Sequence, residues 1–255
     1  GQDRLDLVQR VVLVQRVALR NFKSFEKCNV SLGPLTILVG RNGSGKSNFL
    51  DALRLVSEGM AAPLEHAIRE RGGIDDVRRR STGHPHNFGI RLELSLPKQA
   101  GEAHFAFEVS AKKQGAFEVK EERCRVVGRG PLFDGEGHYV VRRGEIVESS
   151  IPHPPVASAD RLYLVSVSGA PEFRSLYEAL SAMAFYNLSP AVIREVQAPD
   201  AGSRLLRDGR NLASVLGRLE SDAPDALQRV KDYLAKLAPG VEDVSREALA
   251  HKETI

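Results

Sequence analysis

Tryptophan is absent from this chain of 255 residues, and aromatic residues make up only 6% of it. Platforms that stack single-stranded bases are built from aromatic side chains, and none stands out here. Cysteine is almost as scarce. Cys28 and Cys124 are too few for a disulfide framework and lack metal-ligand spacing. No unbroken apolar run approaches the roughly 20 residues that cross a bilayer as a helix, and no secretory leader pattern opens the chain. Together these features point to a cytoplasmic protein with reduced thiols and no membrane partner. Net charge is small as well. Lys and Arg number 36 against 33 Asp and Glu, leaving a formal +3, which neither requires nor excludes a polyanion. A recognition helix, a zinc finger and a strong basic stripe are all missing, and so is the Asn-Lys-x-Asp motif that reads guanine.

What is present is a phosphate-binding loop. Gly40-Arg41-Asn42-Gly43-Ser44-Gly45-Lys46-Ser47 has the form G-x-x-x-x-G-K-S. Leu35-Thr36-Ile37-Leu38-Val39 before it reads as a strand, and the amphipathic stretch from Ser47 to Val56 reads as a helix, giving the strand–loop–helix context that the motif needs. The glycines allow positive φ and a close approach to phosphate. Successive N–H groups form an anion-binding nest, and the helix N-terminus adds its positive end. Lys46 is expected to reach the β- and γ-phosphates, and the Ser47 hydroxyl to ligate Mg²⁺.

Further along, Pro63 reads as the first residue of a helix that ends at Gly72-Gly73. The segment from Ile74 to His86 is charged and turn-rich, and its Arg78-Arg79-Arg80 run reads as a solvated face, with a phosphate-contacting role as the alternative. His84 and His86 read as surface histidines. From Asn87 the apolar period changes to about two. Phe88–Leu96, His104–Ser110, Ala116–Val127 and Gly137–Arg143 form an antiparallel meander whose charged residues share a solvated face. After the stiff Pro152–Pro155 loop, Arg161–Val167 is a strand or the approach to a helix. Helices are expected over Pro171–Ala184, from Asn211 as a cap, and over Pro224–Leu237, with a short strand and turn at Phe185–Pro190.

The loop Asn42-Gly43-Ser44-Gly45-Lys46-Ser47-Asn48 resembles the Walker A of ABC-type ATPases. Arg20-Asn21-Phe22-Lys23-Ser24-Phe25, at the end of a hydrophobic strand, resembles the start of SMC-like and RecF-like members. Phe185–Pro190 and Leu206–Ala213 resemble segments of OLD-family-related AAA ATPases of DNA repair and phage defence. The resemblance implies an ATP site with Mg²⁺ that includes Gly40, Arg41, Asn42, Gly43, Ser44, Gly45, Lys46, Ser47 and Asn48. It also places Arg20, Asn21 or Lys23 near adenine and ribose, unless Arg20 and Lys23 are simply solvated strand ends. Head-to-head dimerisation, coupling to DNA and coupling to an effector protein are implied too.

The fold expected is therefore α/β, a P-loop NTPase of the ABC-head type with an antiparallel β subdomain and a helical region. Residues 1–12 read as an extension of unknown role, 13–150 as the P-loop core with the β subdomain, and 151–255 as a helical lobe that continues into a missing C-terminal half. No apolar run ends in the Asp-Glu pair of a Walker B strand, and no convincing signature loop is found. Gln197 is an exposed glutamine or a Q-loop residue. Two functions follow: the ATP-binding part of an ATPase completed elsewhere, or a nucleotide-dependent switch that binds a partner without hydrolysis.

Overall fold

The computed structural model describes residues 13–81, 86–96, 101–131, 133–238, 240–241, 243–249 and 252–254. The expectations for residues 1–12 and for His84 lie outside them. The chain divides into two compact units, one ending at Met183 and the other starting at Ala184.

The first unit is built on a sheet. Its strands are β1 (Leu13–Phe22), β2 (Phe25–Ser31), β3 (Asn87–Leu96), β4 (Gly101–Ala111), β5 (Phe117–Gly130), β6 (Phe133–Arg142) and β7 (Glu145–Ser149). They lie in the order β2-β1-β3-β4-β5-β6-β7, with every neighbouring pair antiparallel. The meander read from the sequence is thus extended at one edge by the first hairpin. Alternation sets the two faces. Phe88, Ile90, Leu92, Leu94 and Leu96 of β3 are buried, as are Phe105 and Phe107 of β4, each such side chain contributing about 1.5–3 kcal/mol. The opposite face carries Arg91, Arg123 and Arg125, all exposed.

The connection from β2 to β3 holds the P-loop and three helices, α1 (Lys46–Ala61), α2 (Leu64–Arg69) and α3 (Ile74–Val77). Helix α1 buries Phe49, Ala52, Leu55, Val56 and Met60. After β7 come α4 (Tyr163–Ser166) and α5 (Pro171–Ser181), and α5 buries Phe173, Leu176 and Leu180. The Phe173 and Tyr139 rings meet edge to face at 5.2 Å, which seats α5 on the buried face of β6. A Cβ on Gly137 of β6 would lie 2.6 Å from Glu172 Cβ, so glycine there lets helix and strand approach.

Glu122 of β5 is fully buried. Its carboxylate accepts hydrogen bonds from Tyr139 Oη at 2.6 Å, Tyr163 N at 2.6 Å and Leu164 N at 2.9 Å. It thereby satisfies N–H groups that open α4 and would otherwise be orphaned. Burial pushes its pKa up to about 7, against the three hydrogen bonds that favour the charged form.

The second unit contains α6 (Pro190–Ile193), α7 (Leu212–Asp222), α8 (Pro224–Leu237) and a small pair, β8 (Glu247–Leu249) with β9 (Lys252–Thr254). Asn211 precedes α7 but does not cap it with its side chain. Instead its Oδ1 accepts from Leu206 N at 2.8 Å, and its Nδ2 donates to Asp200 Oδ2 at 2.8 Å and Arg204 O at 2.9 Å. Phe185–Ser189 is not a strand. It is tied to the other family-like segment by Asn187 N to Arg207 O at 2.8 Å and Ser189 N to Asp208 O at 3.0 Å.

Several local expectations change. Pro63 sits just before α2 as its cap rather than inside it, and residues 74–77 form the short helix α3 rather than a loop. Of the two readings of Arg161–Val167, the helical one holds: it contains α4. The largest change is at Leu35–Val39, which is not a strand. A strand is defined by its ladder, and among the described residues no backbone–backbone hydrogen bond reaches this segment. Leu35, Ile37 and Val39 are 82%, 74% and 88% exposed.

Candidate nucleotide site

The P-loop lies in the first unit, between the exposed segment 35–39 and α1. Gly43 has φ 79° and Gly45 φ 95°, left-handed values that carry little steric cost only for glycine. They turn the backbone so that α1 starts directly at Lys46. The first bond into the helix is Phe49 N to Gly45 O at 2.9 Å, so the N–H groups of Lys46, Ser47 and Asn48 have no partner one turn back. No side chain caps them. They form the donor set that an anion meets at a helix start.

Lys46 Nζ donates to Gly40 O at 2.7 Å and Arg41 O at 2.9 Å. An ammonium has three protons. Two point to loop carbonyls, so the side chain is held folded over the loop with its charge at the mouth. Ser44 Oγ lies 3.4 Å away. Gly40, Arg41, Asn42, Gly43, Ser44 and Ser47 are all exposed. A polyphosphate with a divalent cation fits this cradle: backbone donors, one fixed cation and one free hydroxyl at a helix N-terminus.

The turn before the loop supports it. Asn21 and Lys23 take positive φ, 50° and 47°, and neighbouring backbone holds them there through Lys23 N to Val77 O at 2.8 Å and Arg79 N to Asn21 O at 2.7 Å. Lys23 Nζ pairs with Asp51 of α1 at 2.6 Å. Asn48 Nδ2 donates to Ser24 Oγ at 2.9 Å. The Phe25 ring lies against Gly45, where an added Cβ would sit 2.9 Å from Cζ. Arg20 is exposed near the end of β1, opposite Lys27 and Gly89. The structure therefore brings Lys23 to the P-loop helix but leaves Arg20 on the sheet.

Sequence reading gave no role to two residues behind this turn. The Arg71 side chain is only 2% exposed. Its Nε donates to Asp51 Oδ2 at 3.1 Å, and its Nη1 donates to Glu58 Oε2 at 2.5 Å and Ala67 O at 2.6 Å. Its Nη2 is 3.0 Å from Asp51 Oδ1, off the axis of a full hydrogen bond. Burial alone would raise the Asp51 carboxyl, but the bond from Lys23 and the charge of Arg71 outweigh it, so its pKa lies below the usual value. An Asp one turn beyond Ser47 on an amphipathic helix was the available signal; Arg71 carried none, because its partners lie 20 and 13 residues away.

Other candidates fall elsewhere. Arg78, Arg79 and Arg80 pair with Asp75, Glu26 and Asp76 respectively; Arg80 is exposed, Arg78 and Arg79 half-buried. Gln197, in the second unit, donates to Val192 O at 2.8 Å. Among the described residues, no group of three or more His, Cys, Asp or Glu could hold a metal ion, and no helix is long and apolar enough to cross a membrane.

Comparison with known proteins agrees with the loop geometry. Residues 35–136 match the family described as "AAA domain, putative AbiEii toxin, Type IV TA system". The chromosome partition protein Smc of Methanocaldococcus jannaschii is 45% identical over 65 residues, 25% of this chain and 6% of that protein. The OLD nuclease of Thermus scotoductus is 43% identical over 44 residues, 17% of this chain and 8% of the nuclease. The DNA replication and repair protein RecF of Brucella abortus is 35% identical over 80 residues, 31% of this chain and 19% of RecF. The chain thus spans well under a quarter of the length of each relative. With the P-loop and its flanking turn, these matches make the chain similar, over part of its length, to SMC-, RecF- and OLD-like proteins.

Proposed function

We propose that this chain binds ATP with Mg²⁺ at the P-loop, and that hydrolysis requires signature and Walker B groups carried outside these 255 residues. The observation that carries the reading is the Lys46 ammonium, held over the loop by Gly40 O and Arg41 O. In this reading the N–H groups of Lys46, Ser47 and Asn48 donate to phosphate oxygens, and Gly40–Ser44 wraps them. Lys46 offsets their charge, and the Ser47 hydroxyl takes one position on the cation. ATP and Mg²⁺ would supply a transferable phosphoryl group and its charge neutralisation.

The apolar row Leu35, Ile37 and Val39 supports completion by other strands. Three large side chains at alternate positions are exposed directly before the loop, the pattern of a strand without its sheet. We infer that those strands bring the carboxylates that this chain lacks. A head-to-head partner chain, DNA as the coupled polymer, an effector protein and a cytoplasmic setting belong to the same reading. They rest on the relatives named for chromosome partition and for DNA replication and repair; phage defence is the other setting of the OLD-like group.

Calorimetric titration with ATP and Mg²⁺, followed by a turnover assay, tests this. The expected result is saturable binding that disappears in Lys46→Ala, with negligible phosphate release. No binding by the wild-type chain would end the proposal. Robust turnover that is lost in Lys46→Ala would remove its second half.

A further inference from the structure

The turn Lys23-Ser24-Phe25 meets α1 and its cap at Asp51, Asn48 and Gly45 in that order. Those partners are spaced three residues apart, so they lie along one side of the helix. Three consecutive residues at the tight turn of the β1–β2 hairpin therefore follow α1 in the opposite direction, each making one contact of a different kind: an ion pair, a hydrogen bond and a ring against bare backbone. We propose that this turn is a positioning brace for the phosphate site, and that Lys23 acts through Asp51 rather than by touching the base.

Three observations carry it. First, the ammonium of Lys23 is already engaged at 2.6 Å by a carboxylate that is only 14% exposed. Second, that carboxylate is fixed from the other side by Arg71, which is itself buried and tied to Glu58 and Ala67 O. The pair is anchored, not a loose surface contact of the kind that contributes little. Third, the turn is held in left-handed backbone at Asn21 and Lys23 by bonds to Arg79 N and Val77 O. Strain of this kind persists only where the surroundings over-determine it. The helix start that presents the phosphate donors is thus clamped at Gly45, Asn48 and Asp51. Removing the clamp lets the donors wander while leaving the core of α1 in place.

The inference rests on ATP binding at the P-loop, and the test separates the two. ATP–Mg²⁺ affinity is measured by calorimetry for wild type, Lys23→Met, Lys23→Arg and Arg125→Gln, with the Gly45 amide resonance recorded without nucleotide. Arg125 makes a bidentate pair with Glu136 on the exposed sheet face, so its variant controls for loss of an ion pair in general. The expected result is an affinity about tenfold weaker in Lys23→Met, largely restored in Lys23→Arg and unchanged in Arg125→Gln. The Gly45 amide should shift in Lys23→Met alone. Wild-type affinity in Lys23→Met, or an equal loss in Arg125→Gln, would overturn the brace. If the wild-type chain binds no ATP, the nucleotide reading fails, and the Gly45 amide still decides: a shift confined to Lys23→Met supports the brace, and its absence overturns it.

Discussion

Raising the pH across neutrality should weaken the first unit through one residue, Glu122. Its folded pKa is about 7, raised by burial from the ordinary glutamate value of 4.5. Between those values the folded chain holds a proton that the unfolded chain has released. Linkage then gives stability that is full below the unfolded value and is lost as pH rises through the folded one. The loss between about pH 5.5 and about pH 8 works out at roughly 2 kcal/mol. Carboxyls with lowered values, such as Asp51 and Glu121, act with the opposite sign and on the acid side of that window. Urea unfolding at both pH values, followed by far-UV circular dichroism, reads the difference. Glu122→Gln should flatten the slope, because the amide does not titrate. It should also cost about 1–3 kcal/mol, since its NH₂ would face the Tyr163 N–H, which now donates to the carboxylate. A flat wild-type profile, or a slope that persists in Glu122→Gln, would refute the reasoning.

Two further outcomes follow from local geometry. Gly45→Ala places a methyl 2.9 Å from Phe25 Cζ at a φ of 95°, so it should destabilise the first unit by about 1–3 kcal/mol and weaken ATP binding; calorimetry with thermal unfolding checks both. Ile37→Thr changes a side chain that is 74% exposed. It should leave the melting temperature within a degree or so while reducing self-association seen by light scattering; a drop of several degrees would show that Ile37 is packed.

The sheet was legible because burial on one face imposes alternation. Phe88 to Leu96 announces its inward set, and the turn residues around Gly101 and Gly115 separate the strands. The Pro224–Leu237 helix was legible to the residue, because proline can start a helix and Pro239-Gly240 follows its end. The P-loop was legible because phosphate binding fixes residue types at fixed spacing. Leu35–Val39 was misread because an apolar alternating run reports a propensity to pair, whereas a strand exists only with its partner. Phe185–Ser189 was misread because it makes isolated backbone bonds to Arg207 and Asp208 without continuing into a ladder. Glu122 went unnoticed because one acidic residue among Lys120, Glu121, Arg123 and Arg125 looks like any solvated position. A bulge between Glu108 and Val109 shifts the β4–β5 register, and local pattern does not reveal which charge points inward. Asn211 read as a cap because Asn before a helix usually is one; the competing demand came from the loop at Asp200 and Arg204.

The strand order has a consequence for assembly. β1 and β2 form a local hairpin, and β3 to β7 form a chain of local hairpins, but β1 pairs with β3 across the whole segment from Lys23 to His86. Closing a loop of that length costs roughly 4 kcal/mol in entropy, several times the increment for a tight hairpin. The two hairpin blocks are therefore expected to form first and join afterwards. Amide protection at Ala18, whose N–H faces β3, arriving later than at Phe105 would be the signature, and simultaneous protection would contradict it. The phosphate loop lies inside the segment being closed, so its shape is a product of the join: the last step of folding builds the cradle.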